Sequence, residues 1–372
     1  MKIAVDGRAL LAERTGIGTY TDAIARVLAA HGRHSVGLFA PRPFPDSVSR
    51  NGPYSLHEDR GGRGSVWLHA TLPGRLERWG ADVLLAALTI GPARGVTPTV
   101  SVVHDLTPLT HPEWHARRTI LGFVPLWDRT ADRAAGFVCV SEATARDLVL
   151  RYPEIAPRVR VAQNGVDREF FSPAGDGDES ERARRRWAGG RPYILYLGTL
   201  EPRKNVETLV GACERLWRRR PDAPDLVLAG GAGWKNDGLH RRLEESPFRD
   251  RIRRAGYAPR DAARALYRGA EVFVYPSLEE GFGLPLAEAM ACGTPCVSSD
   301  AEALVEVGGD AALRAPARDA EALSRQIARV LDDEPLRRRL REAGPPRAAT
   351  FSWETAGKRT ADALEAAAGG HR

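Results

Sequence analysis

Short apolar runs alternate with longer amphipathic stretches along most of the chain. Residues 3–5, 36–39, 83–87, 99–103, 137–140 and 159–161 are mostly apolar, with Thr99, Ser101 and Arg160 as polar exceptions, and too short for helices. A run without polar alternation suits a strand whose sheet is covered by helices on both faces, so the pattern predicts a parallel α/β sheet. A glycine-containing loop after the first run leads into a helix expected over about 20–30. The polar, Gly-, Glu- and Arg-rich stretch 172–191 breaks the rhythm and reads as a linker carrying a short charged helix. A second series of runs follows at 193–197, 226–229, 252–255, 272–275 and 295–298. Pro345 and Pro346 predict a break before a last helix over about 353–368.

Length changes the picture in one respect: 372 residues are long for one α/β domain and comfortable for two. The expectation is two Rossmann-like domains, 1–171 and 192–351, with 172–191 between them and a terminal helix at about 352–372. Hydrophobic residues make up 43%, enough for a core in each half. Lys and Arg total 54 against 48 Asp and Glu, a formal charge of +6 and a pI near 9.3. That excess fits attraction to phosphates, nucleic acid or an anionic membrane and decides among none of them. Only Lys2, Lys204, Lys235 and Lys358 are lysines, which makes each more informative than the many arginines. Cys139, Cys213, Cys292 and Cys296 give no zinc pattern and read as small buried thiols. No apolar stretch approaches the roughly 20 residues a membrane helix needs, and the N-terminus has no signal-peptide core. A cytoplasmic protein is expected.

Chemistry concentrates at predicted strand ends, where ligands of open α/β sheets bind. After the run 272–275 comes Pro-Ser-Leu-Glu-Glu-Gly-Phe-Gly-Leu-Pro-Leu-Ala-Glu, with Glu280 on the loop beside Gly281 and Gly283, and Glu288 one turn into a helix. Pro285 fits a helix first turn and Gly293 a helix end. Carboxylates accept hydrogen bonds from sugar hydroxyls; standing alone, Glu288 also fits helix-dipole compensation and Glu280 a solvated loop acid. After the run 193–197 comes Gly-Thr-Leu-Glu-Pro-Arg-Lys-Asn, so Arg203 and Lys204 lie just before a helix expected over 206–219. Two cations and helix N–H groups converging on one place make an anion site suited to a diphosphate. In the first half, Gly16 and Gly18 permit close backbone approach to a ligand, but Thr21 breaks the dinucleotide fingerprint, which argues against a dehydrogenase. His104 ends the run 99–103; it suits a sugar or phosphate contact as well as a local loop cap. His111 and His115 read as solvated, and Asn164-Gly165-Val166-Asp167 as a turn.

The ordered set Gly-Ile-Gly-Thr-Tyr, His-Asp-Leu, Asn-Gly-Val-Asp, Gly-Thr-Leu-Glu-Pro-Arg-Lys-Asn and the E-x7-E segment from Glu280 to Glu288 resembles the retaining GT-B glycosyltransferases of family 4. The resemblance runs from Asp6 to Ser298. It implies two Rossmann-like domains facing each other across a cleft, with the last helix crossing back to the N-terminal domain. It implies that Glu280, with backbone N–H groups around Gly281, Phe282, Gly283 and Leu284, meets the transferred sugar, and that Glu288 holds the ribose. Arg203 and Lys204 would hold the leaving diphosphate, His104 would touch the sugar, Gly16 and Gly18 would approach the phosphates, and Tyr257 would lie beside the base. No metal and no separate cofactor are implied. The motif flavour is similar to bacterial mannosyltransferases, which points to GDP-mannose as donor and a glycan or lipid-linked acceptor, with the inner membrane surface as a peripheral partner.

Two other readings compete. A GT-B sugar-nucleotide epimerase would make product without an acceptor. A non-enzymatic binder would be either a catalytically silent nucleotide-sugar sensor or a nucleic-acid binder using the clusters Arg184–Arg186, Arg218–Arg220 and Arg251–Arg254. Those clusters are expected on helices and lack interleaved aromatics, so no nucleic-acid partner is expected.

Overall fold

The computed structural model describes residues 1–13, 15–30, 32–62, 64–173, 175 and 177–370. Ala174 and Asp176 of the expected linker, and His371 and Arg372 of the expected terminal helix region, lie outside the described residues. The chain forms two units, one from residues 1–112, 117–165 and 352 onward, the other from 113–116 and 166–351.

The first unit is built on strands β1 (Lys2–Asp6), β2 (Ser35–Ala40), β3 (Ser55–Glu58), β4 (Val83–Ala86), β5 (Thr99–Val103), β6 (Gly136–Cys139) and β7 (Val159–Val161). All pair in parallel, in the order β3-β2-β1-β4-β5-β6-β7. Ile3, Ala4 and Val5, like Val83 to Ala86, are wholly buried, as a strand covered on both faces must be. Helix Gly16–Ala30 and the last helix, Trp353–Gly369, pack together in this unit. A Cβ on Gly357 would stand 2.3 Å from Val27 Cγ1, so only glycine allows that approach. Tyr20 meets Trp353 edge-on at 6.2 Å.

The second unit carries β8 (Tyr193–Leu197), β9 (Asp225–Ala229), β10 (Ile252–Gly256), β11 (Val272–Tyr275), β12 (Cys296–Ser299) and β13 (Ala312–Ala315). They too are parallel, in the order β10-β9-β8-β11-β12-β13. The stretch that reads as a linker holds helix Gly177–Ala188, whose Glu179 accepts hydrogen bonds from Arg264 and Arg268 of helix Arg260–Gly269.

Four local expectations fail. Pro345 and Pro346 lie inside helix Glu334–Ala349 rather than breaking it. Tertiary packing overrides them: a Cβ on Gly344 would lie 2.7 Å from Met290 O, and Arg347 donates to the carbonyls of Glu306 and Val307. Residues 162–167 form no turn; a Cβ on Gly165 would stand 2.2 Å from Trp353 N, and Val166 N–H donates to Phe351 O at 3.1 Å. His115 is not solvated but buried, its ring stacked 6.5 Å from Trp234. Arg251 lies in a 3-10 turn and Arg253 and Arg254 on β10, not on a helix. Among the described residues no helix is long and apolar enough to cross a membrane, and the four cysteines are buried free thiols.

Candidate functional site

In each sheet the strand order reverses beside the first strand of its series, between β1 and β4 and between β8 and β11. Loops leaving two such strands run in opposite directions and open a crevice at their carboxyl ends. The loop after β8 holds Gly198 to Lys204, and the loop after β11 holds Pro276 to Gly283. Leu278 N–H donates to Arg203 O at 2.8 Å, joining the two loops. Asn205 fixes them further. Its backbone is left-handed (φ 54°), and its Nδ2 donates to Pro276 O at 2.9 Å and Ala317 O at 2.6 Å.

This brings Arg203, Lys204 and Glu280 together. Lys204 Nζ donates to Glu280 Oε1 at 2.5 Å and to Tyr275 Oη at 2.9 Å. Arg203 Nη1 lies 3.3 Å from Glu280 Oε2, and its Nη2 donates to Glu201 Oε1 at 3.0 Å. All four charged side chains are nearly buried. Burial alone would push the Glu280 carboxyl up, but Lys204 and then Arg203 outweigh it and hold it below its ordinary range. Lys204 is pushed down, first by burial and then by Arg203, with Glu280 and Glu201 opposing. The cluster is thus two cations and two carboxylates at a strand-end crevice, poised to exchange partners with an anion.

Glu288 sits elsewhere on the same segment, partly buried on helix Leu284–Ala291, where its Oε2 accepts from Tyr267 Oη at 3.1 Å. Burial raises its carboxyl to about 7, against the Tyr267 hydrogen bond and the charge of Arg260. Gly283 precedes that helix with φ 98°, and a Cβ there would stand 2.5 Å from Leu304 Cδ2. The helix ladder begins with Leu286 and Ala287 N–H donating to Gly283 O, so the N–H groups of residues 282–284 precede it, where negative charge is favoured. Gly281 and the side chains of Phe282 and Leu284 are buried, Phe282 edge-on to Phe351 at 5.2 Å. Tyr257 follows β10 and is 39% exposed.

A feature not singled out from sequence is Gly230-Gly231-Ala232-Gly233, the loop after β9. Gly230 N–H donates to Gly256 O at 2.7 Å and Leu200 N–H to Gly231 O at 3.1 Å. A Cβ on Gly230 would stand 1.9 Å from Gly198 O and one on Gly233 2.1 Å from Leu200 O. Backbone therefore lies on backbone here, beneath the Arg203 loop. The glycine run itself was the legible signal.

The first unit holds the remaining expected residues. Gly16 is exposed at the start of helix Gly16–Ala30, and Gly18, two residues on, is buried. His104 follows β5, with Nε2 2.8 Å from Ala87 O and its ring edge-on to Tyr20 at 5.1 Å. A carbonyl only accepts, so Nε2 carries the hydrogen and Nδ1 is left as an acceptor. Burial pushes this imidazole down, so it is neutral at pH 7. Among the described residues no three His, Cys, Asp or Glu side chains gather as a metal ligand set.

Comparison with known proteins accounts for most of the chain. The family described as glycosyl transferases group 1 matches residues 177–347, and glycosyltransferase family 4 matches residues 14–170. An Escherichia coli protein named O-antigen chain mannosyltransferase B is 33% identical over 268 residues, covering 72% of this chain and 70% of that one. The serotype-specific mannosyltransferase WbdA of Escherichia coli is 32% identical over 68% of this chain, but the match spans only 32% of WbdA. Among solved structures, Anabaena Alr3699/HepE in complex with UDP-glucose superposes with a TM-score of 0.78 at 18% identity, covering 98% of this chain and 99% of that one. A GT-B fold of two Rossmann-like domains and sequence similarity over both of them put this chain in glycosyltransferase family 4, group 1, as a glycosyltransferase.

Proposed function

We propose that the chain transfers mannose from GDP-mannose to a glycan or lipid-linked acceptor, with retention and without a metal ion. The observation that carries the reading is the Lys204–Glu280–Arg203 cluster at the β8/β11 switch point. The diphosphate takes Lys204 and Arg203 as partners in place of Glu280, and the freed carboxylate accepts hydrogen bonds from the sugar hydroxyls. Departure of the diphosphate is stabilised by the two cations, and its own oxygen takes the acceptor proton on the same face of the sugar. A basic pair where the diphosphate would sit, rather than an acidic pair that would need a bridging cation, supports the metal-free course. Glu288 holds the ribose and Tyr257 lies beside the base, while the neutral His104 accepts from a sugar hydroxyl. The names of the mannosyltransferase relatives support the donor. Peripheral contact with a membrane surface would bring a lipid-linked acceptor within reach.

Thermal shift and turnover with GDP-mannose, UDP-glucose and a dTDP-sugar, each with and without EDTA, test this. GDP-mannose should stabilise most and turn over equally in EDTA. Preference for another donor, or loss of turnover in EDTA restored by magnesium, contradicts the respective part.

A further inference from the structure

We propose that Tyr275 is a positioning residue for the diphosphate, its hydroxyl holding the Lys204 ammonium in place when Glu280 lets go. The inference rests on the reading of Lys204 as a diphosphate ligand and of Glu280 as a sugar ligand. Tyr275 is the last residue of β11, 1% exposed, with its ring stacked near Phe273 at 5.7 Å and Tyr196 at 6.2 Å. A phenylalanine would satisfy that packing. The hydroxyl is what packing does not require, and it lies 2.9 Å from Lys204 Nζ.

The ammonium has two partners of different kinds, Tyr275 Oη and Glu280 Oε1. A carboxylate partner cancels the charge that a leaving diphosphate needs, whereas a phenol oxygen solvates the ammonium and leaves its charge intact. When Glu280 turns to a sugar, a buried lysine with no neutral partner would drift in position and give up its proton more readily. Burial, and then the charge of Glu280, push the phenol well above its ordinary range, so it stays a neutral O–H at working pH. Oη accepts from Lys204 and turns its own hydrogen toward the Glu280 carboxylate, so it touches both members of the pair. The hydroxyl is thus the fixed point of the partner exchange.

Tyr275→Phe removes only Oη. The probes are GDP against GMP and UDP against UMP by calorimetry, reading the pair that wild type binds more tightly. Tyr275→Phe should lower the diphosphate-to-monophosphate affinity ratio by about 10- to 100-fold, the range of a hydrogen bond to a charged group. Melting temperature should fall only slightly, because Glu280 still pairs with Lys204 in the free enzyme. The alkaline limb of diphosphate binding should move to lower pH, because Lys204 loses a partner that favours its charged form. In a Lys204→Met background the same substitution should have no further effect on the ratio. An unchanged ratio and unmoved alkaline limb overturn the proposal, and so does an equal loss in the Lys204→Met background, which marks a structural role. If Lys204→Met alone keeps the wild-type ratio, the reading of Lys204 fails, and the proposal falls with it for that separate reason.

Discussion

Glu280 and Glu288 belong to one loop–helix segment, and their surroundings push them in opposite directions. Glu280, with two cations in contact, is held ionised. Glu288 accepts from the Tyr267 phenol, and its burial raises it from an ordinary 4.5 to about 7. Between those two values the folded chain keeps a proton that the unfolded chain has lost. Stability therefore falls as pH rises across that window, and above it the carboxylate is a liability. Glu288→Gln, which keeps an acceptor for Tyr267, should flatten the dependence and be more stable than wild type at pH 8 by roughly 1–3 kcal/mol. Chemical denaturation at pH 5 and pH 8 checks this; equal stability differences at both would refute it. If ribose hydroxyls donate to the ionised form, GDP binding at pH 6.5 should also release a proton. Calorimetry in buffers of different ionisation heat would read that release. The sequence makes both carboxylates visible by spacing, but their different ionisation depends on Lys204, 76 positions from Glu280, and on the burial of Glu288 in the fold.

The strands and helices that carry the site were legible because buried parallel strands are continuous apolar runs: 193–197, 226–229 and 272–275 need little adjustment. The two strands left out, β3 with Ser55-Leu56-His57-Glu58 and β13 with Ala312-Leu313-Arg314-Ala315, lie at sheet edges. An edge strand has one partner and polar neighbours, so its sequence is not a pure apolar run. The proline pair misled because a helix interior normally excludes it, and only the seat of Gly344 on Met290 reveals otherwise. The loop after β9 was missed although its glycines were in view. Gly230→Ala should lower stability by about 2–4 kcal/mol and weaken nucleotide binding, since φ is +143° and the new methyl would meet Gly198 O. Gly231→Ala, with nothing within 4 Å, should behave as wild type. Melting curves of the pair decide it, and equal melting would mean the backbone contact carries no weight.

Across the whole chain, the basic excess did not itself point to a ligand. Most of the clustered arginines have carboxylate partners: Arg184 with Glu271, Arg185 with Glu181, Arg219 with Glu321, Arg220 with Asp332, and Arg251 and Arg253 with Asp225. Such pairs contribute little each to stability, but they balance much of the clustered charge. The informative cations are the few beside Glu280. Family and fold were legible from the order of motifs, whereas donor identity was not, because none of the motifs distinguishes one nucleotide base from another. The central claim is that Glu280 and the diphosphate compete for Lys204 and Arg203. Calorimetry of GDP binding to Glu280→Gln, set beside its turnover of GDP-mannose, tests this most directly. Turnover should fall on the order of 10- to 100-fold while GDP affinity holds or rises, because a competing carboxylate has gone. Wild-type turnover, or a GDP affinity that falls with it, would contradict the account.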